Sequence, residues 1–185
     1  MIARLEDLKQ FLNITNNTSD VLLFENLRSA DEEIKRYCGR KFEVGDFTEI
    51  KNGRNRKSIM VKETPIIEVV AIYDDANRIF SPETLVSPED YSVDKESGII
   101  TNDGLFIGGN DAIKVLYRGG YGTDIDKGET PMPKDLIQAV LEIASASFLR
   151  SQGRINAVTG ELLSYNENVS KAYKLADRHL RYDYD

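Results

Sequence analysis

The strongest structural signals of the chain lie in residues 112–150, AIKVLYRGGYGTDIDKGETPMPKDLIQAVLEIASASFLR. This stretch opens with the alternating apolar and polar residues of a half-buried strand. Glycines between positions 119 and 122 then break that strand, and an acidic loop follows. Pro133 suits the first turn of a helix, because its missing N–H would have no intrahelical partner there. The stretch therefore predicts a strand, a sharp exit and a long helix.

The predicted helix is nearly apolar all round. From Leu136 to Leu149 its polar residues are Gln138, Glu142, Ser145 and Ser147. The first three of these fall on one narrow stripe of the helix. A helix with so little polar surface is enclosed on several sides, by its own fold or by a neighbouring subunit. We therefore expect it to be the central helix of the protein.

Two amphipathic helices are predicted before it, near the start of the chain. Leu5, Leu8 and Leu12 have helical spacing within residues 1–13. A second apolar stripe runs through residues 23–37, and Gly39 stands where a helix end favours a left-handed residue. The stripe consists of Leu23, Leu27, Ala30, Ile34 and Tyr37, and Asp31, Glu32, Lys35 and Arg36 are expected to face elsewhere.

Between residues 41 and 122 the helical spacing of apolar residues is replaced by short runs of β-branched and aromatic residues, which are separated by turn signals. The predicted strands are 47–50, 58–61, 66–73, 91–93, 98–101 and 112–117, and the turn signals include Asn52-Gly53, Asp103-Gly104 and Gly108-Gly109-Asn110. The predicted class is α+β: a helical bundle built from the N- and C-terminal segments, with a small antiparallel β module inserted. The predicted helical domain comprises residues 1–40 and 131–185, and the inserted module comprises residues 41–130.

After Arg150 the run Ser-Gln-Gly-Arg is expected to end the central helix, and residues 156–168 read as a mobile loop. A last amphipathic helix is predicted from Val169 to Leu180. It carries Lys171, Lys174, Arg178, His179 and Arg181, and the chain continues as Tyr182-Asp183-Tyr184-Asp185.

The composition excludes several classes of protein. The net charge of −7 argues against a nucleic-acid-binding protein, because binding to phosphates requires a concentration of Lys and Arg side chains. The single cysteine, Cys38, excludes an intrachain disulfide framework and fits a reducing cytosol. No apolar run resembles a signal peptide or approaches the roughly 20 residues that span a membrane. We expect a soluble protein.

The sequence offers no convincing catalytic, metal or cofactor motif. His179 is the only histidine and lies near the end of the chain, where a general base would be poorly positioned. Asp124 to Glu129 resembles a calcium loop but has Glu129 where that loop requires glycine. The glycines at 119–122 match no phosphate-binding motif, and Cys38 is expected to be a packed thiol. Acidic pairs such as Asp74-Asp75 are expected in turns or on exposed helix faces.

The order of several short motifs resembles the head-tail connector, or head-completion adaptor, proteins of tailed bacteriophages and prophages. The motifs are residues 37–42, 64–69, 91–94, 97–100, 115–121 and 133–139, and they span most of residues 5–150. The residues that carry the resemblance are Tyr37, Cys38, Gly39, Arg40, Pro65, Gly98, Tyr117, Gly119, Gly120, Tyr121, Pro133, Leu136 and Ala139.

The resemblance implies a non-enzymatic subunit of a ring of about twelve copies, located at the head-tail interface of the virion. Such a subunit docks on the portal protein, meets a stopper or tail-completion protein, and extends the DNA channel towards the tail. It is assembled in the bacterial host cytoplasm. An acidic lumen would let DNA slide without specific binding. The candidate portal contacts are Lys171, Tyr173, Lys174, Arg178, His179, Arg181, Tyr182 and Tyr184.

Four alternatives stay open. The last helix could simply pack on its own subunit. The protein could be a phage tail-completion or stopper protein, which would bind the adaptor and tail. A small enzyme would need a deep pocket with converging titratable groups, and a DNA-binding regulator would need a basic recognition helix.

Overall fold

The computed structural model describes residues 1–152 and 161–181. The described residues divide into a helical unit, formed by residues 1–40, 132–152 and 161–181, and a β unit, formed by residues 41–131. The helices are α1 (Leu5–Phe11), α2 (Asp20–Cys38), α3 (Lys134–Ser151) and α4 (Glu161–Ala176). The strands are β1 (Gly45–Gly53), β2 (Ser58–Met60), β3 (Ile66–Asp74), β4 (Tyr91–Asp94), β5 (Ile99–Asn102) and β6 (Gly109–Gly119). The predicted α+β class is confirmed.

Helix α3 is the centre of the helical unit and packs against α1, α2 and α4. Leu136, Ala139, Val140 and Ala144 have no exposed surface. The polar stripe is covered in part, since Glu142 and Ser145 are buried while Gln138 is exposed. Pro133 caps the helix, and its carbonyl accepts the Ile137 N–H at 3.1 Å. The chain's own helices therefore supply the enclosure that the composition of α3 predicts.

Helix α2 buries most of its predicted stripe, and Gly39 ends it with φ of 65°. The prediction was wrong at two positions. Tyr37 is partly exposed, and Asp31 is buried. The Asp31 carboxylate accepts the Ile2 N–H at 2.5 Å and pairs with Lys35 Nζ at 2.7 Å. A buried carboxylate is tolerated only with such partners, and one of them comes from a distant part of the sequence.

Helix α4 begins earlier than the sequence suggested. The predicted mobile loop covers residues 156–168, but residues 161–168 are helical, and residues 156–160 lie outside the described residues. The run Glu161-Leu162-Leu163 consists of strong helix formers, which offset the polar residues that follow. Ala172 and Ala176 are fully buried in the helical unit.

The β unit contains two antiparallel sheets of three strands, in the orders β1-β6-β3 and β2-β5-β4. Their buried core includes Ile72, Ile100, Phe106, Val115 and Tyr117. In the first sheet Gly45 lies opposite Gly119 at one end, and Gly53 lies opposite Gly109 at the other.

Two of the predicted turn signals were wrong, because Asn52-Gly53 belongs to β1 and Gly109-Asn110 belongs to β6. Gly53 is needed for close approach of the backbone. A Cβ there would lie 1.7 Å from the Ile107 carbonyl oxygen, a distance that no side chain can occupy.

Candidate functional site

The predicted portal-contact residues lie on α4 and just after it, and several of them contact the rest of the helical unit. Lys171 forms an ion pair with Glu142 of α3. The Tyr173 hydroxyl donates to Glu33, and its ring lies 4.5 Å from that of Tyr37, centroid to centroid. These contacts place part of the set against α2 and α3.

The residues that follow α4 are also tied to the helical unit. His179 Nε2 lies 3.0 Å from the Asp135 carboxylate, at the start of α3. The Arg181 backbone N–H donates to the Cys38 carbonyl at 3.3 Å. The structure thus brings the end of the described chain close to the C-terminus of α2.

Lys171, Lys174 and Arg178 are all exposed, but Lys171 pairs with Glu142, whereas the side chains of Lys174 and Arg178 have no ion pair or hydrogen bond among the described residues. Lys174 lies on the face of α4 opposite the buried Ala172 and Ala176. Tyr182 and Tyr184, which complete the predicted set, lie outside the described residues. Lys174 and Arg178 are therefore the described members of the set that present positive charge to a partner.

The motif glycines hold the first residues of the β unit against the end of β6. The Tyr121 N–H donates to the Phe42 carbonyl at 2.7 Å, and the Val44 N–H donates to the Tyr121 carbonyl at 3.0 Å. Gly120 has φ of 97°, and a Cβ there would lie 2.5 Å from the Glu43 carbonyl oxygen. A side chain at Gly120 would therefore separate these two segments.

Glu63 anchors the same segment from the other side, and the sequence analysis did not identify it. Its carboxylate accepts the backbone N–H groups of Lys41 at 2.9 Å and Phe42 at 3.2 Å. Its own N–H donates to the Tyr117 hydroxyl oxygen at 2.9 Å. The available signal was a charged residue beside the Thr64-Pro65 motif; Pro65 follows a cis peptide bond.

Tyr117 joins this anchor to the edge strand β1. Its hydroxyl donates to Glu49, and Glu49 also pairs with Lys51 Nζ at 2.9 Å. Burial of the ring raises the pKa of Tyr117 well above its usual value of 10.0, and the Glu49 carboxylate raises it further. We name Glu49, Glu63 and Tyr117 the β anchor. Glu49 and Glu63 also line an open surface depression of about 310 Å³, together with Lys51 and Lys62. Their carboxylates are already engaged by the backbone N–H of Lys41, the Tyr117 hydroxyl and Lys51.

Tyr117→Phe is expected to lower the free energy of unfolding by about 1 to 3 kcal/mol, because the buried Glu63 N–H loses its acceptor. A raised tyrosine pKa stabilises the fold below pH 10, and that contribution is lost as the pH rises through the folded-state pKa. Wild type should therefore lose stability above about pH 10 more steeply than the variant. Urea unfolding at pH 7 and pH 11 tests this expectation, and identical pH slopes would contradict it.

Other carboxylates also serve the backbone. Asp75 is buried and accepts the N–H groups of Asn77, Ile79 and Phe80, each at 2.8 Å. These bonds, that from Phe80 foremost, hold its pKa below the usual value. Asp74 accepts the Ile107 N–H at 3.1 Å, while burial raises its pKa. The pair therefore orders a loop, as a turn position predicts.

The remaining motif residues have structural positions. Cys38 is buried, its thiol lies 3.6 Å from the Ala176 carbonyl, and burial raises its pKa to about 11. Such a thiol is a poor nucleophile. Arg40 is buried at the end of the first helical segment. Gly98 has φ of 77°, and its N–H donates to the Asp94 carbonyl at 2.9 Å.

Among residues 1–152 and 161–181, no group of three or more His, Cys, Asp or Glu side chains could hold a metal ion. Within the same ranges, no helix combines the length and apolar character that a membrane crossing requires.

Comparison with known proteins identifies the family. A model described as head completion protein matches residues 1–170, and the chain belongs to that family. It is accordingly a structural protein of the phage head-tail connector. No curated protein matches the chain.

Solved structures share the fold. The neck of a native GTA particle computed with C12 symmetry has 16% identity and a TM-score of 0.57, covering 96% of this chain and 88% of that one. The neck of an empty GTA particle computed with C6 symmetry has 17% identity and a TM-score of 0.58, covering 98% and 90%. A native gene transfer agent virion has 14% identity and a TM-score of 0.57, also covering 98% and 90%.

Proposed function

We propose that this protein is the adaptor that docks on the portal as one copy of a ring and extends the DNA channel towards the tail. The observation that carries the proposal is the family match over residues 1–170. A similar fold in a neck computed with C12 symmetry supports a ring of about twelve copies. On its other side the ring would meet a stopper or tail-completion protein.

The exposed face of α4 is the proposed portal contact. Lys174 on α4 and Arg178 in the turn just after it are exposed, while Ala172 and Ala176 hold the face of the helix opposite Lys174 inside the unit. Arginine is frequent among the residues that dominate binding energy at interfaces. A positive patch on a protein of net charge −7 would also restrict the surfaces that an acidic partner can approach.

The charge of the β unit suits passage of DNA. Residues 41–131 carry 17 acidic and 11 basic side chains, so their net charge of −6 accounts for most of the chain's −7. Phosphates are repelled by such a surface, and DNA that passes it is not retained. Any part of this unit that faces the channel would therefore permit sliding without specific binding.

The double variant Lys174→Glu/Arg178→Glu tests the docking face. We expect co-sedimentation with purified portal rings to fall by about tenfold or more, because like charges are placed against the partner. Lys134→Glu reverses another exposed lysine of the same unit and should leave co-sedimentation unchanged. Substitution is preferable to removal of the helix, since deleting α4 would expose the buried side of α3.

Circular dichroism and a urea titration establish that each variant is folded. Normal co-sedimentation of the folded double variant would remove this face from the proposal. If the wild-type protein does not bind portal rings but binds a preassembled adaptor ring and tail, the proposal of portal docking is overturned. The protein would then be a stopper or tail-completion protein.

A further inference from the structure

A rigid basic tip joins β1 to β2. Residues Arg54, Asn55, Arg56 and Lys57 are all exposed. Within the described ranges, the side chains of Arg54 and Arg56 make no hydrogen bond or ion pair. The backbone beneath them is fixed, because the Arg56 carbonyl accepts the Phe106 N–H at 2.9 Å and the Lys57 carbonyl accepts the Asn102 N–H at 2.8 Å.

Apolar side chains lie beside this tip. Leu105 is 60% exposed, and Ile107 is also exposed, on either side of the Phe106 N–H that binds Arg56. Rigid arginines next to exposed aliphatic side chains are typical of a protein-protein contact, in which the apolar groups lose water and the guanidinium groups meet carboxylates. We call Arg54, Arg56, Leu105 and Ile107 the basic face.

A complementary knob stands in the loop after β6. Ile125 is 78% exposed and lies between Asp124 and the exposed Asp126. The loop is held in shape because the Glu129 carboxylate accepts the Asp124 N–H at 3.0 Å and pairs with Arg118 at 3.3 Å. We call Asp124, Ile125 and Asp126 the acidic knob. It presents an apolar group flanked by two carboxylates, of which Asp124 is paired with Lys127 Nζ at 2.8 Å within the loop. Asp126 and Ile125 are therefore the main chemical counterpart of the basic face.

The strand register places the two features at opposite ends of one sheet. The basic face follows the end where Gly53 pairs with Gly109, and the acidic knob follows the end where Gly45 pairs with Gly119. Eight residues of antiparallel strand span roughly 27 Å. The two features therefore cannot meet within one β unit, but they can meet between two copies.

We propose that the acidic knob of one copy docks on the basic face of the next. Different surfaces of identical subunits meet in such a heterologous contact, and contacts of this kind close into rings. The inference rests on the proposed ring and names one of its subunit contacts. Each pairing would place the Asp126 carboxylate beside the two arginines, with the Lys127-paired Asp124 next to it, and bury Ile125 against Leu105 and Ile107.

Nucleic acid is the competing partner for the two arginines, and the surroundings favour protein. The β unit has a net charge of −6, so phosphate gains little from approaching it. A phosphate backbone also offers no apolar surface to cover Leu105 and Ile107, whereas Ile125 does.

Disulfide trapping with the full chain tests the contact. Leu105→Cys and Ile125→Cys are purified separately, mixed and oxidised, and the mixed disulfide is quantified. Cys38 is buried with a pKa of about 11 and does not compete. The control replaces Ile125→Cys by Val70→Cys, at a position of the same unit that is 64% exposed.

We expect the mixed disulfide to form roughly tenfold faster than with the control partner. Arg54→Glu/Arg56→Glu in the Leu105→Cys chain should reduce the rate roughly tenfold, and Asp126→Arg in the Ile125→Cys chain should restore much of it. Equal rates for the test and control partners would overturn the contact. If the rates are equal and the protein also retains duplex DNA in a manner that depends on Arg54 and Arg56, the contact between copies is overturned and the tip is a phosphate-binding site.

The disulfide experiment and the portal co-sedimentation experiment can fail independently of each other. Wild-type protein that co-sediments with portal rings but shows no selective disulfide would overturn only the contact between copies. Selective disulfide formation without portal binding would support the contact and count against the docking role.

Discussion

Ala139→Glu is expected to lower the free energy of unfolding by about 3 to 5 kcal/mol, enough to unfold much of a marginally stable protein. Ala139 has no exposed surface and lies on α3, which three other helices enclose. A carboxylate there would lose its water without gaining a partner. Urea unfolding followed by circular dichroism measures the loss.

Ser29→Glu is the matched control for this change. Ser29 is an exposed helical residue of the same unit, so its substitution should alter the free energy of unfolding by less than about 0.5 kcal/mol. If Ala139→Glu were as stable as Ser29→Glu, α3 would not be the buried centre of the helical unit.

Gly120→Ala is expected to lower the free energy of unfolding by about 3 kcal/mol or more, through strain and clash together. Its φ of 97° is unfavourable for a residue with a side chain, and a Cβ would meet the Glu43 backbone at 2.5 and 2.7 Å. The hydrogen bonds between Tyr121 and the chain at Phe42 and Val44 would be stretched or broken. Thermal and urea unfolding measure the effect.

Gly128→Ala separates the two causes. Gly128 also has a positive φ, of 75°, but nothing lies within 4 Å of a Cβ there. Gly128→Ala should lower the free energy of unfolding by about 1 to 2 kcal/mol, which is the effect of left-handed backbone strain without a steric clash. A loss of equal size at both glycines would show that the close approach at Gly120 contributes nothing.

The elements that the sequence predicted well are those with a strong local period. The helices α2 and α3 can be predicted because their apolar residues recur at helical spacing a few positions apart, as Leu23 and Leu27 or Leu136 and Ala139 do. The β-branched runs likewise predicted each of the strands in the described ranges. Their distribution over two sheets depends on pairings between distant residues, which a local pattern does not contain.

Buried charge was beyond the reach of periodicity. Asp31 faces the core because Lys35 and the Ile2 N–H satisfy it. The Tyr117 hydroxyl donates to the Glu49 carboxylate, which lies 68 residues away in the sequence, and the buried Glu63 carboxylate is satisfied by the Lys41 and Phe42 N–H groups, 22 and 21 residues before it. A helical wheel or a strand alternation assigns such residues to solvent, because the compensating partners are unknown until the chain is folded.

The candidate docking residues illustrate the same limit. A basic helix with tyrosines can be recognised in the sequence, but the sequence does not show which of its residues contact their own subunit and which are available to a partner. Contacts made by Lys171, Tyr173 and His179 to Glu142, Glu33 and Asp135 distinguish them from the exposed Lys174 and Arg178. The portal contact stays a prediction, now restricted to a face that substitutions can address without removing the helix.

The helical unit is discontinuous in sequence, with α2 ending at Cys38 and α3 beginning at Lys134. On the ribosome the apolar stripe of α2 therefore emerges long before the helix that covers it. The first strand of the β unit waits in the same way, because Gly45 of β1 pairs with Gly119 of β6, whereas β4 and β5 are close in sequence and can pair early. Leu23, Leu27 and Ile34, which are buried in the fold, therefore stay without their cover from α3 until that helix has been synthesised, and the partly synthesised chain exposes apolar surface.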